Sequence, residues 1–221
     1  MSSKLQLKVI LVKQTGHVLA AFTCKADPEG KPSMQALVGA GLIVRNINQI
    51  QPTPTVNEPI GETLVVPPEG LDIAVVDYEP AIFSNPRSFV AGGDKVAKLG
   101  SDLPTLDLST HSVPSGNPPL LPAGSPPLIN FSTTRVTVLL DTNTVDDKGA
   151  CVILQEADPL PGNDPERRIA QGAIKSGTHF ISLDLKTSPE GSVASIPNKD
   201  FFVLVLIAGL QPLFGKRPPH I

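Results

Sequence analysis

Apolar and polar residues alternate with a period of two at the start of the chain. Four apolar residues share one face of this stretch: Leu5, Leu7, Val9 and Leu11. Such spacing is typical of a half-buried β-strand. Residues 14–17 include Gly16, which can adopt the positive φ of a tight turn, and 18–24 return as a second strand. The pattern therefore predicts an N-terminal β-hairpin.

The same alternation returns in the last third of the chain, where it predicts a series of antiparallel strands. Residues 135–140, 150–155 and 181–185 have strand patterns, and polar turns or loops occupy 141–149 and 158–166. The run 201–207 differs, because it is apolar on both faces, unlike a strand with one face in water. We expect its second face to be covered by a loop, by a proline-rich arm or by another subunit.

The middle of the chain is less regular. Residues 34–47 are ambiguous between a short helix and a strand entered through a bulge, whereas 63–66 and 71–76 predict short strands. Proline makes up 24 of the 221 residues and is densest within 99–128. This composition favours extended structure. The segment's leucines make it unusually apolar for a linker in water. Three interpretations therefore remain: a linker, an arm docked on a neighbouring surface, and a loop packed on its own domain.

Together these patterns predict an all-β fold of the antiparallel β-sandwich or barrel-like type. We expect two small β units: an N-terminal β domain at 1–98 and a C-terminal β-sandwich domain at 129–221. The proline-rich linker or docking arm at 99–128 would join them. One larger sandwich is the alternative.

Charge and hydropathy narrow the function classes. The net charge is −3, no basic run is present and tryptophan is absent, so the chain lacks the usual features of a nucleic-acid binder. No apolar run approaches the ~20 residues of a membrane helix, and residues 9–12 are too short for the core of a signal peptide. We expect a soluble protein made in the cytoplasm, without a classical signal peptide or membrane insertion.

Candidate metal and thiol sites are weak. Asp141, Asn143 and Asp146 approximate the spacing of calcium ligands, but 141–149 lacks the glycine and the later acid of a helix–loop–helix calcium site. We interpret this stretch as a polar turn and predict no metal and no cofactor. Cys24 and Cys151 lie in apolar runs and are predicted to be buried free thiols; a disulfide between them would require an oxidising compartment.

No catalytic or phosphate-binding motif is complete in the sequence. Residues 209–217 resemble a phosphate-binding loop with one residue too many and no following helix, and 39–41 lack the third glycine of a dinucleotide fingerprint. His179 lies on the same face as apolar strand residues, which favours a position at the edge of the core. No Gly-x-Ser-x-Gly elbow is present. We therefore do not expect an enzyme, and loss of an activity on changing His179 or Asp72 would revise this view.

These observations favour a non-catalytic structural or assembly subunit of a homo-oligomer or filament, of the coat, tail, shell or apparatus type. Its partners would be further copies of the chain or other assembly subunits. The expected contact residues are apolar and belong to the proline-rich segment or the two-sided strand: Val113, Leu120, Leu121, Leu128, Phe202, Leu204 and Leu206. The alternative is a monomeric ligand- or partner-binding β-sandwich module whose loops 51–59 and 158–166 carry binding.

Overall fold

Antiparallel strands dominate the described part of the chain, which comprises residues 6–23, 33–45, 63–100 and 118–217 of a computed structural model. Helix is confined there to α1 (Met34–Val38), α2 (Ala81–Ser84) and two short 3-10 turns. The predicted all-β fold is confirmed. No helix within these ranges is long and apolar enough to cross a membrane.

The N-terminal part of the chain forms one three-stranded sheet and two two-stranded hairpins. Its strands are β1 (Gln6–Val12), β2 (Val18–Phe22), β3 (Leu42–Arg45), β4 (Thr63–Val66), β5 (Leu71–Asp77), β6 (Phe89–Gly92) and β7 (Lys95–Lys98). The sheet has the order β2-β1-β5, and β3 pairs with β4 and β6 with β7. The predicted N-terminal hairpin is present, with Gly16 at φ 72° in its turn. The ambiguous stretch 34–47 begins as α1 and continues as β3.

The C-terminal part of the chain forms a β-sandwich of two sheets. Its strands are β8 (Leu128–Phe131), β9 (Arg135–Leu139), β10 (Lys148–Glu156), β11 (Arg167–Ile174), β12 (Phe180–Asp184), β13 (Phe201–Ile207) and β14 (Leu213–Arg217). We call the sheet of order β11-β10-β13-β14 the central sheet, and the sheet of order β12-β9-β8 the outer sheet. A pair of backbone hydrogen bonds between Ile169 and Lys186 links the two sheets at one edge.

The central sheet is buried on both faces. Alternate residues of β13, including Val203 and Val205, meet the outer sheet in one apolar cluster. The residues that alternate with them along the strand, Leu204 and Leu206, enter a second cluster with Cys151 and Ile153 of β10. The two-residue period of a strand thus sends successive β13 side chains into two different cores.

The second cluster is completed by the N-terminal part of the same chain. Each of the strands β1 to β5 contributes buried side chains to it: Ile10, Val12, Leu19, Val44, Leu64, Val66 and Leu71. The second face of residues 201–207 is therefore covered, as predicted, but the cover consists of strands from the N-terminal part of the chain and not of the expected loop, proline-rich arm or other subunit. The two halves share this cluster, and their division into separate domains stays a prediction.

Strand β1 repeats this two-sided burial one layer further out. Ile10 and Val12 face the central sheet, whereas Leu7 and Val9 enter a third cluster with Phe89 of β6. Three apolar clusters are therefore stacked in order. The first lies between the outer and central sheets, the second between the central sheet and β1 with its neighbours, and the third between β1 and the elements β6 and α2. The long apolar stretches of the sequence occupy the middle of this stack.

Polar contacts fix how the β1–β2 turn docks on the sandwich. His17 is fully buried, its Nε2 lies 2.7 Å from the carbonyl oxygen of Leu210, and its Nδ1 lies 2.9 Å from the hydroxyl of Thr15. Since a carbonyl only accepts, Nε2 carries the proton and donates to Leu210. A Cβ at Gly149 would overlap the carbonyl oxygen of Gln14, so only glycine permits this close approach. Burial lowers the pKa of His17.

Replacing His17 tests whether its neutral imidazole stabilises this docking. The unfolded chain binds a proton near pH 6.5, whereas the folded chain resists protonation until lower pH. The stabilisation is therefore complete above pH 6.5 and declines as the pH falls through the interval below it. His17→Ala leaves the Leu210 carbonyl without its donor and should cost about 1–3 kcal/mol of unfolding free energy at neutral pH.

The matched variant is His17→Gln, whose amide keeps a donor within reach of Leu210 but does not titrate. Urea unfolding at several pH values should give a wild-type advantage over His17→Gln that shrinks between pH 7 and pH 5. Wild-type and His17→Gln stability curves that run parallel across this interval would show that His17 does not carry the pH dependence.

Candidate functional site

A cleft of about 370 Å³ lies where the N-terminal part of the chain meets the edge of the central sheet. We call it the junction cleft. From the N-terminal side it is lined by Gln35 of α1, Ala40 and Glu69, and from the sandwich side by Arg167 of β11 and Thr187. Its walls come from both ends of α1, from the Pro68–Gly70 turn and from the first residues of β11. Its volume suits a small ligand or a single side chain of a partner.

A buried glutamine organises the sandwich side of this cleft. The Oε1 atom of Gln155 accepts a hydrogen bond from the backbone N–H of Val65 at 2.9 Å and from Nε of Arg167 at 3.3 Å. Gln155 is only 6% exposed, so its polar group is desolvated and depends on these partners. One side chain therefore joins β4 of the N-terminal part to β11 of the sandwich and orients the guanidinium of Arg167.

The two neighbouring arginines of β11 have different roles. Arg168 donates from Nε to the carbonyl oxygen of Ser195 at 3.1 Å and from a terminal nitrogen to the backbone carbonyl of Arg167 at 2.8 Å. Arg167 shares the face of Ile169, toward the N-terminal part, because side chains alternate along a strand. Among the described residues, Gln155 is the sole hydrogen-bond partner of the Arg167 side chain. Its two terminal nitrogens have no hydrogen-bond partner among the described residues.

The base of loop 158–166, a predicted binding loop, is held by charge. Glu156 forms an ion pair with Lys199 at 2.8 Å and accepts a hydrogen bond from the backbone N–H of Glu166 at 3.2 Å. These contacts, with Lys199 foremost, hold the pKa of Glu156 below its usual value. Pro165, at the end of the loop, lines the junction cleft. The other predicted binding loop, 51–59, lies outside the described residues.

The polar stretch 141–149 forms a hydrogen-bonded turn. Asp147 pairs with Lys175 at 2.6 Å and accepts from the backbone N–H of Ser176 at 2.9 Å, and Asp141 accepts from the backbone N–H of Gly124 at 2.7 Å. These bonds lower the pKa of Asp147, with the Lys175 hydrogen bond as the largest cause. Across the described ranges, no three His, Cys, Asp or Glu side chains cluster in a way that could hold a metal ion.

His179 ties this turn to the proline-rich segment. Its Nδ1 lies 3.1 Å from Oδ1 of Asn143, and its Nε2 lies 2.9 Å from the carbonyl oxygen of Pro118. Residues 118–127 therefore run along the loops at one end of the sandwich before entering β8. For this described part of the segment, the interpretation as a loop packed on its own domain is favoured by these contacts.

The predicted contact residues occupy different environments. Leu204 and Leu206 are fully buried in the cluster shared with the N-terminal part, and Phe202 is half-buried beside Phe214, with ring centroids 6.4 Å apart. Leu121 and Leu128 are half-buried, and Leu120 is 51% exposed. Val113 lies outside the described residues. The set does not form one surface, and its role in an interface stays a prediction.

The remaining sequence candidates are structural features. Cys151 is a fully buried free thiol, and burial raises its pKa to about 12. Cys24 lies outside the described residues. Residues 209–217 form the turn between β13 and β14 and β14 itself, with Gly209 at φ 81°. Gly39 and Gly41 end α1 and lead into β3. Asp72 accepts a hydrogen bond from the backbone N–H of Ile73 at 2.8 Å.

Sequence reasoning missed the residues that organise the junction cleft. Gln155 follows an apolar strand run and Arg167 follows a loop, and neither position belongs to a motif. Their pairing across β10 and β11 depends on strand register, which a single sequence does not reveal. The polar Gln155 at the end of an otherwise apolar run was the one available signal.

Comparison of the chain with protein-family models, with curated proteins and with solved structures found no match in any of the three.

Proposed function

We propose that this chain is a non-catalytic β-protein that binds a ligand or partner group in the junction cleft. The observation that carries the proposal is the concave surface built by both halves of the chain around the Gln155–Arg167 contact. A recessed site with a few oriented polar groups and apolar walls is the usual form of a ligand site. Pro67 and Ile169 supply apolar wall in this cleft.

Filling the cleft tests this proposal. Ala40 lines the cleft and is exposed, so Ala40→Trp should occupy it without disturbing a core. Ala123 is also exposed but lies in the proline-rich segment, which makes Ala123→Trp the matched control. A library of small neutral, anionic and cationic fragments is screened by backbone amide NMR shifts on the wild type and on both variants.

We expect fragment-induced shifts to cluster at Gln35, Arg167 and Thr187 in the wild type and in Ala123→Trp. Ala40→Trp should lose them, since its indole takes the same volume. Shifts that concentrate elsewhere on the chain, or that survive unchanged in Ala40→Trp, would contradict a binding role for the junction cleft.

A second candidate is the assembly subunit of the coat, tail, shell or apparatus type. The observation that favours it is an apolar side chain on a well-held segment: Leu120 is 51% exposed although His179 anchors the neighbouring Pro118. A single exposed leucine is common on monomeric proteins, so this candidate ranks second. Strand β13 gives this candidate less support, because its two-sided burial is satisfied within one chain.

Light scattering on a sizing column, with negative-stain images of the same peak, tests assembly. Self-assembly through this segment predicts particles well above 23.2 kDa that Leu120→Ser dissociates, whereas the exposed-site control Leu160→Ser leaves them intact. A 23.2 kDa species at every concentration and salt tested would rule out self-assembly as the main function.

A further inference from the structure

We infer that the ligand of the junction cleft carries an oxyanion, a carboxylate or a phosphate group, which the terminal nitrogens of Arg167 bind. This inference rests on the proposed function and specifies its ligand chemistry. The cleft's volume of about 370 Å³ limits the bound part to a small molecule or a single terminal group.

The guanidinium of Arg167 is only partly engaged by the described residues of the chain. Arg167 is half-buried and its Nε is held by the buried Oε1 of Gln155 at 3.3 Å. No carboxylate within the described residues pairs with it. A guanidinium presents a planar fork of donors that matches a carboxylate or a phosphate with two parallel hydrogen bonds. With Nε occupied, the two terminal nitrogens form the remaining fork, already oriented by Gln155.

Positive charges outnumber negative charges along the lining of the cleft. The lining residues include two arginines, 167 and 168, and one carboxylate, Glu69, although the whole chain carries a net charge of −3. The ammonium of Lys13 lies 2.9 Å from the backbone carbonyl of Glu69 and adds positive charge beside the cleft. The net negative charge of the whole chain repels anions at long range. An anion is therefore attracted to this cleft by the positive groups that line it.

Further hydrogen-bond donors line the same cleft. Thr187 and Ser188 line the cleft, and each hydroxyl can donate to an anion oxygen. Both residues lie just beyond Lys186, whose backbone pairs with Ile169 and sets their position against β11. Gln35 of α1 also lines the cleft, and its side-chain amide can donate. Donors from α1, from β11 and from residues 187–188 therefore line one recess.

Three probes of similar shape test the inference: benzoate, phenyl phosphate and the neutral benzamide. Each is titrated into the full chain while the Nε–H resonance of Arg167 and the backbone amides of 187 and 188 are followed by NMR. We expect saturable shifts with at least one anionic probe and none with benzamide. The ratio of the benzoate and phenyl phosphate affinities distinguishes a carboxylate ligand from a phosphate ligand.

Variants separate a designed site from general attraction. Arg167→Gln should weaken the anionic probe on the order of tenfold, the loss expected for one charge-assisted hydrogen-bond pair. Arg167→Lys keeps the charge without the fork and should fall between this variant and the wild type. Arg135→Gln makes the same charge change at an exposed arginine paired with Asp184 and should leave binding unchanged.

Benzamide that binds as well as benzoate, or Arg135→Gln that weakens binding as much as Arg167→Gln, would overturn the oxyanion inference. Neutral binding at the cleft that Ala40→Trp abolishes would still support the proposed function. If neither the anionic probes nor any fragment perturbs the cleft, the inference and the proposed function fail together.

Discussion

The burial of one four-stranded sheet on both faces is the constraint on which the structure depends. Strands β10 and β13 are apolar on both sides, and water on either face would expose a row of aliphatic side chains. The outer sheet covers one face and the N-terminal strands cover the other. Every other layer takes its place from this requirement, including the outermost hairpin, which covers the far side of β1.

Hydrophobic burial alone would leave the docking of the two halves loosely specified, because apolar contacts have little directionality. Buried polar groups supply the missing specification. His17 donates to Leu210, Gln155 accepts from Val65, and Gly149 admits the carbonyl of Gln14. Each group joins the N-terminal part to the sandwich, and each would be unsatisfied or blocked if the halves shifted by one strand position.

The same specification creates the junction cleft. The side-chain Oε1 of Gln155 accepts hydrogen bonds from both the N–H of Val65 and the Nε of Arg167. The contact that docks β4 on the sandwich therefore also orients the guanidinium that lines the junction cleft. Fold and candidate site therefore use one side chain.

Much of the fold follows from local sequence, and little of the site does. The alternation of residues 5–11 correctly predicts a strand, β1, but wrongly predicts that it is half-buried, because Ile10 and Val12 on the opposite face are buried as well. The apolar run 201–207 correctly indicates two-sided burial. The pattern does not reveal which segment covers the second face, because periodicity defines faces and carries no information on distant partners. His17 was interpreted as a turn residue; its burial depends on a loop 193 positions away.

Native-state hydrogen exchange tests most directly whether the central sheet couples the two halves. The amides of β1 and β13 should exchange with the same limiting free energy, since the shared cluster opens only on global unfolding. In Leu204→Ala both sets should lose the same amount, about 2–5 kcal/mol for a buried leucine. Amides of β1 that exchange at a lower free energy and are unaffected by Leu204→Ala would contradict this coupling, because the N-terminal part would then open independently of the sandwich.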